Sequence, residues 1–230
     1  MIYDISPPIT LDIAVWPGDT PPTRQVLLDM AKGDNLTLST LHSTVHLGSH
    51  VDGPNHYGLG EPGIGEQQLE AYIGPCQVIH VSVERGMRIE PDQMKMPIDA
   101  ERVLIATGTY PDPNNFNEDF AALSPELVDQ LHEEGVILVG IDTPSVDLFE
   151  SKDLPAHKRF LENEIAILEG IVLKDVPDGI YELIALPLKL IGFDASPVRA
   201  ILREKGDLKH GGPRRATEEE RREEERKRGE

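Results

Sequence analysis

Apolar residues occur along the chain in short runs that glycine and proline interrupt (20 Gly and 19 Pro in 230 residues). Most of the runs are rich in Val, Ile and Leu, which favours strands, and the Gly and Pro between them favour tight connections. The pattern predicts strands over 26–32, 38–53, 76–83, 102–108, 136–142, 166–172 and 181–187, with a turn at Gly33–Asp34–Asn35 between the first two.

Three segments are typical of helices. Ser124 is a favourable N-cap, with Pro125 in the first helical position, and predicts a helix to Glu134. A short helix is predicted over 66–73, before Gly74–Pro75, and a last one over 196–202. A buried strand precedes the 125–134 helix and another follows it, so the fold class is α/β, with a mixed sheet and flanking helices.

The charge pattern separates a folded body from a tail. From Gly211 onward the chain has seven Lys/Arg and seven Glu, so residues 1–210 hold 15 basic and 34 acidic side chains and the whole net charge of −19. Residues 206–230 have no apolar face, and we expect a disordered tail after one domain over 1–205. The acidic body argues against nucleic-acid binding.

Compartment and redox state follow from what the sequence lacks. No apolar run has membrane-spanning length, and the first residues lack the basic and apolar regions of a signal peptide. The single cysteine, Cys76, has no partner for a disulfide and is expected to be a small buried residue. We therefore expect a cytoplasmic protein that does not bind membranes.

The segment HLGSHVDGPNHY, residues 46–57, has an unusual density of metal-ligating side chains. His46, His50 and Asp52 share the parity of an extended segment and point to one face. A straight strand would separate the two histidines by about 13 Å, so the chain must bend, which glycine permits. Gly53 and Pro54 then turn the chain and bring His56 back over the same place. The segment predicts a metal site with an extra histidine beside it.

The helical zinc motif with histidines four residues apart is a poor alternative here. Gly48, Gly53 and Pro54 disfavour a helix, and no glutamate follows His46. His42 lies too far upstream to join the cluster. Two further candidates are His157 and Glu169, each ordinary in isolation. Glu169 stands among apolar residues, where an unpaired acid is costly, so a ligand role is favoured.

HLGSHVDGPNHY resembles the H-x-G-[TSA]-H-x-D-x-P-x-H signature of the cyclase-like metal-dependent hydrolases. The stretches 140–147, 151–157, 166–170 and 176–202 are similar to the bacterial kynurenine formamidases of that family, as is WPGD at 16–19. The resemblance covers roughly residues 3–203. It implies a swivelling β/β/α domain that assembles as a homodimer or a larger homo-oligomer.

The resemblance also implies roles for individual residues. His46, His50 and Asp52 match the ligands of one metal ion, and Asp52 would bridge to a second ion. His157 and Glu169 match the other ligands of that second ion. The ions would be zinc, with manganese as the alternative. The remaining two matches are His56, to the proton-transferring residue, and Trp16, to an aromatic residue of the substrate pocket.

The implied activity is the metal-dependent hydrolysis of N-formyl-L-kynurenine to L-kynurenine and formate, a step of tryptophan degradation. No serine-nucleophile motif G-x-S-x-G is present in the sequence. One alternative is another amide hydrolase of the same family, such as an isatin hydrolase, because pocket shape rather than the metal site separates them. The other is a protein that binds metal or ligand without catalysis, against which His56 argues.

Overall fold

The computed structural model describes residues 1–204, so the predicted tail at 206–230 lies outside the described residues. The fold is mixed α/β, as the sequence predicts. Residues 1–204 contain two α-helices, α1 (Pro125–Glu133) and α2 (Pro155–Glu162), and short 3₁₀ turns that include Pro54–His56 and Leu69–Tyr72. The strands are β1 (Ile2–Asp4), β2 (Thr23–Leu28), β3 (Leu38–His42), β4 (His50–Asp52), β5 (Ile73–His80), β6 (Arg88–Ile89), β7 (Arg102–Ala106), β8 (Ala122–Leu123), β9 (Leu138–Ile141), β10 (Ala166–Glu169), β11 (Gly179–Ile184), β12 (Ala195–Pro197) and β13 (Ile201–Glu204).

Nine of the strands form one mixed sheet in the order β1-β13-β11-β5-β7-β9-β10-β4-β12. The four central strands β5, β7, β9 and β10 are parallel to one another, and the outer strands pair antiparallel. Central strands such as β7 and β9 are buried over their whole length, as expected for parallel strands covered on both faces. The carboxyl ends of the parallel strands therefore meet at one edge of the sheet.

The two faces of the sheet have separate cores. Ile79, Ile105 and Ile167 point to the face that α1 and α2 cover. Their chain neighbours Val78 and Leu104 point to the other face. That second core also collects side chains from distant strands, β4, β11 and β13 among them, so the sheet curls around it.

The hairpin and the first α-helix confirm the sequence pattern. β2 and β3 pair antiparallel around the turn at Gly33, which has the left-handed φ of 97° that glycine tolerates. The first strand ends earlier than predicted, at Leu28, and Met30–Lys32 form a 3₁₀ turn. Ser124 Oγ accepts the Leu127 N–H at 3.1 Å at the start of α1. Within 38–53 the prediction is partly wrong, because the chain leaves the strand after His42 and only 50–52 return to the sheet.

Two predicted helices are wrong, and strand pairing explains both. Over 66–73 only one 3₁₀ turn forms, and β5 begins at Ile73 because residues 73–78 pair with β11. In 196–202, Pro197 pairs with His50 on the edge strand β12, a position that tolerates proline, and Leu202 pairs with Leu183. Pairing with distant strands outweighs the local helical pattern at both places. Among the described residues, no helix has the length and apolarity needed to cross a membrane.

Candidate metal centre and active site

A bend at Gly48 brings the first histidines to the sheet edge. Gly48 has a φ of 58°, and its carbonyl accepts His50 Nδ1–H at 2.9 Å. The pairing of β4 with β10 places His50 opposite Glu169. Helix α2 supplies His157, and the 3₁₀ turn that starts at Pro54 supplies His56. The structure thus brings together all the charged and imidazole side chains that the sequence analysis predicts as metal ligands or as the proton-transferring residue.

The carboxylate of Asp52 is the centre of this cluster. Its Oδ1 lies 3.2 Å from His46 Nδ1 and 3.6 Å from His50 Nε2, and its Oδ2 lies 3.7 Å from His157 Nε2. Glu169 closes the other side, 3.3 Å from His50 Nε2 and 3.8 Å from His157 Nε2. Five potential ligands therefore converge on one place.

The cluster has the features of a site for divalent cations. Asp52 is fully buried, yet neither of its carboxylate oxygens has a hydrogen-bond partner in a suitable geometry within residues 1–204. A buried carboxylate without partners is costly unless something else binds it. Donor atoms lie within 4.8 Å of one another in two overlapping groups, His46–Asp52–His56 and His50–Asp52–Glu169. Imidazole and carboxylate are ligands that Zn²⁺ and Mn²⁺ accept, so the residues fit a metal ion.

The grouping differs from the one that the sequence resemblance implies. Asp52 belongs to both groups, which agrees with a shared ligand. His46 and His50 fall into different groups, however, and His56 lies within ligand distance of the first. The division of ligands between two ions, and the role of His56 outside them, stay predictions.

Protonation in the metal-free site reflects this crowding. Burial lowers the pKa of His157, but the charges of Asp147 and Asp52 outweigh burial and raise it to about 10. His46 follows the same balance, and its pKa is raised to about 9 by Asp52 and Asp194. Burial raises the pKa of Asp52, but His157 and His46 outweigh this and hold it well below its usual range.

His56 differs from the other histidines. Its side chain is 36% exposed, and its ring lies 4.3 Å from that of His46 between centroids. Burial lowers the pKa of His56, so the imidazole is neutral at pH 7. A neutral imidazole at the edge of the cluster can accept a proton.

A cavity of about 780 Å³ opens above the cluster along the carboxyl ends of the parallel strands. His46, His50, His56, His157 and Glu169 all line it. Trp16 lies in its wall and packs against three phenylalanine rings, at centroid distances of 5.0 to 6.1 Å: Phe116, Phe120 and Phe149. The cavity therefore combines a polar floor with an aromatic wall, as binding sites for aromatic ligands do.

Sequence reasoning missed two carboxylates that contact the candidate ligands. Asp194 Oδ2 lies 3.0 Å from His46 Nε2 and 3.6 Å from His56 Nδ1. Asp147 Oδ2 accepts His157 Nδ1–H at 2.8 Å. Both lie in stretches that carry the family resemblance, 140–147 and 176–202, and that resemblance was the available signal.

Comparison with known proteins agrees with this combination of fold and site. A family model described as "Putative cyclase" matches residues 3–148. The chain belongs to this cyclase family. It is 42% identical to the kynurenine formamidase of Bordetella petrii over 207 residues, and this alignment covers 89% of this chain and 99% of the relative. The kynurenine formamidase of Polaromonas naphthalenivorans is also 42% identical, over 88% of this chain and 91% of its own.

Solved structures share the fold. A potential metal-dependent hydrolase with cyclase activity has a TM-score of 0.77 and 28% identity, over 88% of this chain and 96% of its own. A predicted metal-dependent hydrolase from Bacillus stearothermophilus has a TM-score of 0.73 and 28% identity, over 88% of this chain and 97% of its own. Isatin hydrolase A from Labrenzia aggregata has a TM-score of 0.75 over 88% of this chain and 93% of its own. Its sequence identity is only 21%, so this similarity shows the fold alone.

Proposed function

We propose that this chain hydrolyses N-formyl-L-kynurenine to L-kynurenine and formate. The observation that carries the proposal is the ligand cluster around Asp52 at the floor of an aromatic-walled cavity. The 42% identity to kynurenine formamidases over 89% of the chain supports this substrate over other amides. The substrate has an aromatic ring next to the scissile formamide, which suits a wall that contains Trp16.

His46, His50, Asp52, His157 and Glu169 would hold the divalent metal ions, which we propose to be two Zn²⁺ per subunit that share Asp52. Bound zinc lowers the pKa of a coordinated water to roughly 7 and polarises a carbonyl oxygen. The residues prepare the site for this by directing potential ligand nitrogens inward. The Gly48 carbonyl accepts the Nδ1–H of His50, which leaves its Nε2 free to face Asp52.

His56 would move the proton. Its neutral imidazole accepts a proton from the attacking water, and it then delivers that proton to the aniline nitrogen as the bond to the formyl carbon breaks. An anilide anion is a poor leaving group, so this transfer is needed before the amine departs. General acid–base catalysis of this kind contributes about 10²–10⁴-fold.

Trp16 would position the aromatic ring of the substrate. Its edge and face are fixed by the neighbouring phenylalanine rings, with Phe149 nearest at 5.0 Å. A rigid aromatic wall holds the formamide above the metal cluster and excludes bulk water from the carbonyl. Loss of this wall should raise KM more than it lowers kcat.

We also infer a cytoplasmic homodimer or larger homo-oligomer. The β2–β3 hairpin leaves large apolar side chains exposed, including Val26, Leu38 and Leu41. Exposed apolar surface of this kind is often covered in an assembly. Light scattering during gel filtration measures the mass directly, and a monomer at micromolar concentration would contradict this part.

The activity is tested by following kynurenine absorbance and formate release, with metal analysis of the same sample. We expect turnover of N-formyl-L-kynurenine and little hydrolysis of isatin. His56→Ala should keep its metal and fold but lose at least about a hundredfold in kcat. His50→Ala should lose metal, whereas His42→Ala, an exposed histidine on β3, serves as the matched control and should behave as wild type.

Each outcome has a distinct meaning. Metal-loaded wild type without formamidase activity would refute the proposed function. A metal-free His56→Ala protein would make His56 a ligand, as its distance from Asp52 and His46 allows. Full activity in that variant would mean that the proton moves through another group or through water.

A further inference from the structure

Asp147 is a buried carboxylate that the proposed reaction does not use. It lies in the connection between β9 and α2 and has no solvent exposure. Its Oδ2 accepts both the backbone N–H and the Nδ1–H of His157, at 3.0 and 2.8 Å. Its Oδ1 accepts the Ala156 N–H at 3.2 Å and pairs with Arg88 Nη2 at 2.8 Å. Every group that faces this carboxylate is therefore a donor.

This arrangement determines which nitrogen of His157 can bind a metal ion. An ionised carboxylate can only accept, so Nδ1 of His157 must keep its hydrogen. The other nitrogen, Nε2, then points toward Asp52 and Glu169, 3.7 and 3.8 Å away. The backbone contacts of Asp147 at the start of α2 fix the helix and the ring together.

We propose that Asp147 is a positioning residue that holds His157 in the Nδ1–H form, and so sets the metal affinity of the half of the site that His157 serves. The inference rests on the proposed metal site but not on the substrate. Outer carboxylates that accept a hydrogen bond from a ligating histidine typically change metal affinity by about 10–100-fold.

Arg88 is the second side chain that contacts the Asp147 carboxylate. Its guanidinium contacts Oδ1 of Asp147, whereas His157 contacts Oδ2, and it also donates to the Leu123 carbonyl and Ser151 Oγ. A buried carboxylate stays ionised more readily with a cation at this distance, 2.8 Å from its Oδ1. Arg88 thus keeps Asp147 as an acceptor.

The other two proposed histidine ligands, His46 and His50, have weaker outer partners. Asp194, which faces His46, has a side chain that is 47% exposed, so water screens the contact. His50 contacts a neutral carbonyl, that of Gly48. The effect of losing Asp147 should therefore fall on the half of the site that contains His157.

The amide of asparagine cannot replace Asp147. Its single oxygen can face either His157 or the pair of donors from Ala156 and Arg88, and its NH₂ group must then face a donor on the other side. One arrangement leaves Arg88 and Ala156 without an acceptor. The other forces His157 to accept at Nδ1 and to carry its hydrogen on Nε2, which blocks the ligand atom.

The test compares Asp147→Asn with Asp129→Asn as a matched control. Asp129 also accepts hydrogen bonds from donors on or next to α2, Arg159 and Asn163, but it does not contact His157. Zn²⁺ affinity is measured by competition with a chromogenic chelator, and the fold of metal-free protein by circular dichroism. After correction for the protons displaced at the assay pH, we expect one of the two zinc affinities to fall about 10–100-fold in Asp147→Asn and both to be unchanged in Asp129→Asn. Unchanged zinc affinities in folded Asp147→Asn would overturn the inference.

A second measurement needs no variant. Nitrogen-15 NMR of zinc-loaded wild type should show His157 with a protonated Nδ1 and with zinc on Nε2. Zinc on Nδ1, or no zinc on His157, would overturn the inference even if Asp147→Asn fails to fold. Neither readout uses the substrate, so an inactive but zinc-binding protein would refute the formamidase proposal and leave this one standing.

Discussion

Zinc binding to this chain should release protons, because the metal-free cluster holds them on two of its proposed ligands. The pKa of His46 is raised to about 9 and that of His157 to about 10. In both cases burial opposes the shift, and neighbouring carboxylates outweigh it. At pH 7 both rings are imidazolium, and a metal ion needs their lone pairs, so two protons must leave.

The size of the effect follows from these values. At pH 7 the two rings lie about two and three pH units below their pKa values, so displacing both protons weakens zinc binding by about 10⁵-fold. At 1.36 kcal/mol per unit this is about 7 kcal/mol. Zinc affinity should therefore rise up to about a hundredfold per pH unit between pH 7 and about 9, and more slowly above that.

Calorimetric titration with Zn²⁺ in buffers of different ionisation enthalpy counts the protons. We expect at least two protons per chain at pH 7 from wild type and from the surface variant His42→Ala, two from the histidines and any further ones from water that the metal acidifies. Release of one proton would mean that only one of His46 and His157 is a ligand. No release, together with an affinity that does not change between pH 6.5 and 8, would refute the reasoning.

The same shifts predict the stability of the metal-free protein. A histidine whose pKa is raised on folding stabilises the folded state fully below its unfolded value of 6.5, and this contribution is lost as the pH rises through the folded value. The Tm of metal-free protein should thus decrease between pH 7 and 10. Zinc-loaded protein, in which the metal replaces the protons, should show a smaller decrease, and scanning calorimetry of both forms measures the difference.

Two substitutions test the site by other means. Asp52→Asn should lose metal and turnover together, because both ligand groups share this carboxylate, and metal analysis after dialysis with full content and rate would end the two-metal proposal. Gly170→Ala should destabilise the fold by about 2 kcal/mol or more, since φ is +66° and the new Cβ would lie 2.4 Å from the Gly48 carbonyl oxygen. Gly135→Ala, at φ +82° with open space around it, is the control for backbone strain alone, and equal denaturation midpoints would refute the steric part.

The part of the site within residues 46–56 could be predicted because its side chains are close together in the sequence. His46, His50, Asp52 and His56 lie within eleven residues, and parity, glycine and proline were enough to place them together. His157 and Glu169 are distant in sequence, and the pairing of β4 with β10 and the position of α2 unite them with the others. Residue pattern alone could not supply that pairing, and the family resemblance did.

The wrong helix predictions and the unpredicted site residues have a common physical cause. Segments 66–73 and 196–202 have helical spacing, but their backbone groups pair with distant strands, and a single-sequence pattern does not show such partners. Asp147 and Asp194 were missed for the same reason. An aspartate looks ordinary in sequence, and only the folded chain shows that its oxygens face a histidine nitrogen.

The pairing of β1 with β13 has a consequence for how the molecule is made. Ile2 pairs with Arg203, so about two hundred further residues must be synthesised after β1 before its partner exists. Folds dominated by such distant pairings form slowly, because a large loop must close before the contacts repay its entropy. Until β13 is made, β1 and the hydrogen-bonding edge of β11 that β13 covers both lack their partner strand. The closure of the sheet is therefore a late event in folding. Substitutions in β1, β13 and the facing edge of β11 should have the largest effect on chaperone dependence and aggregation.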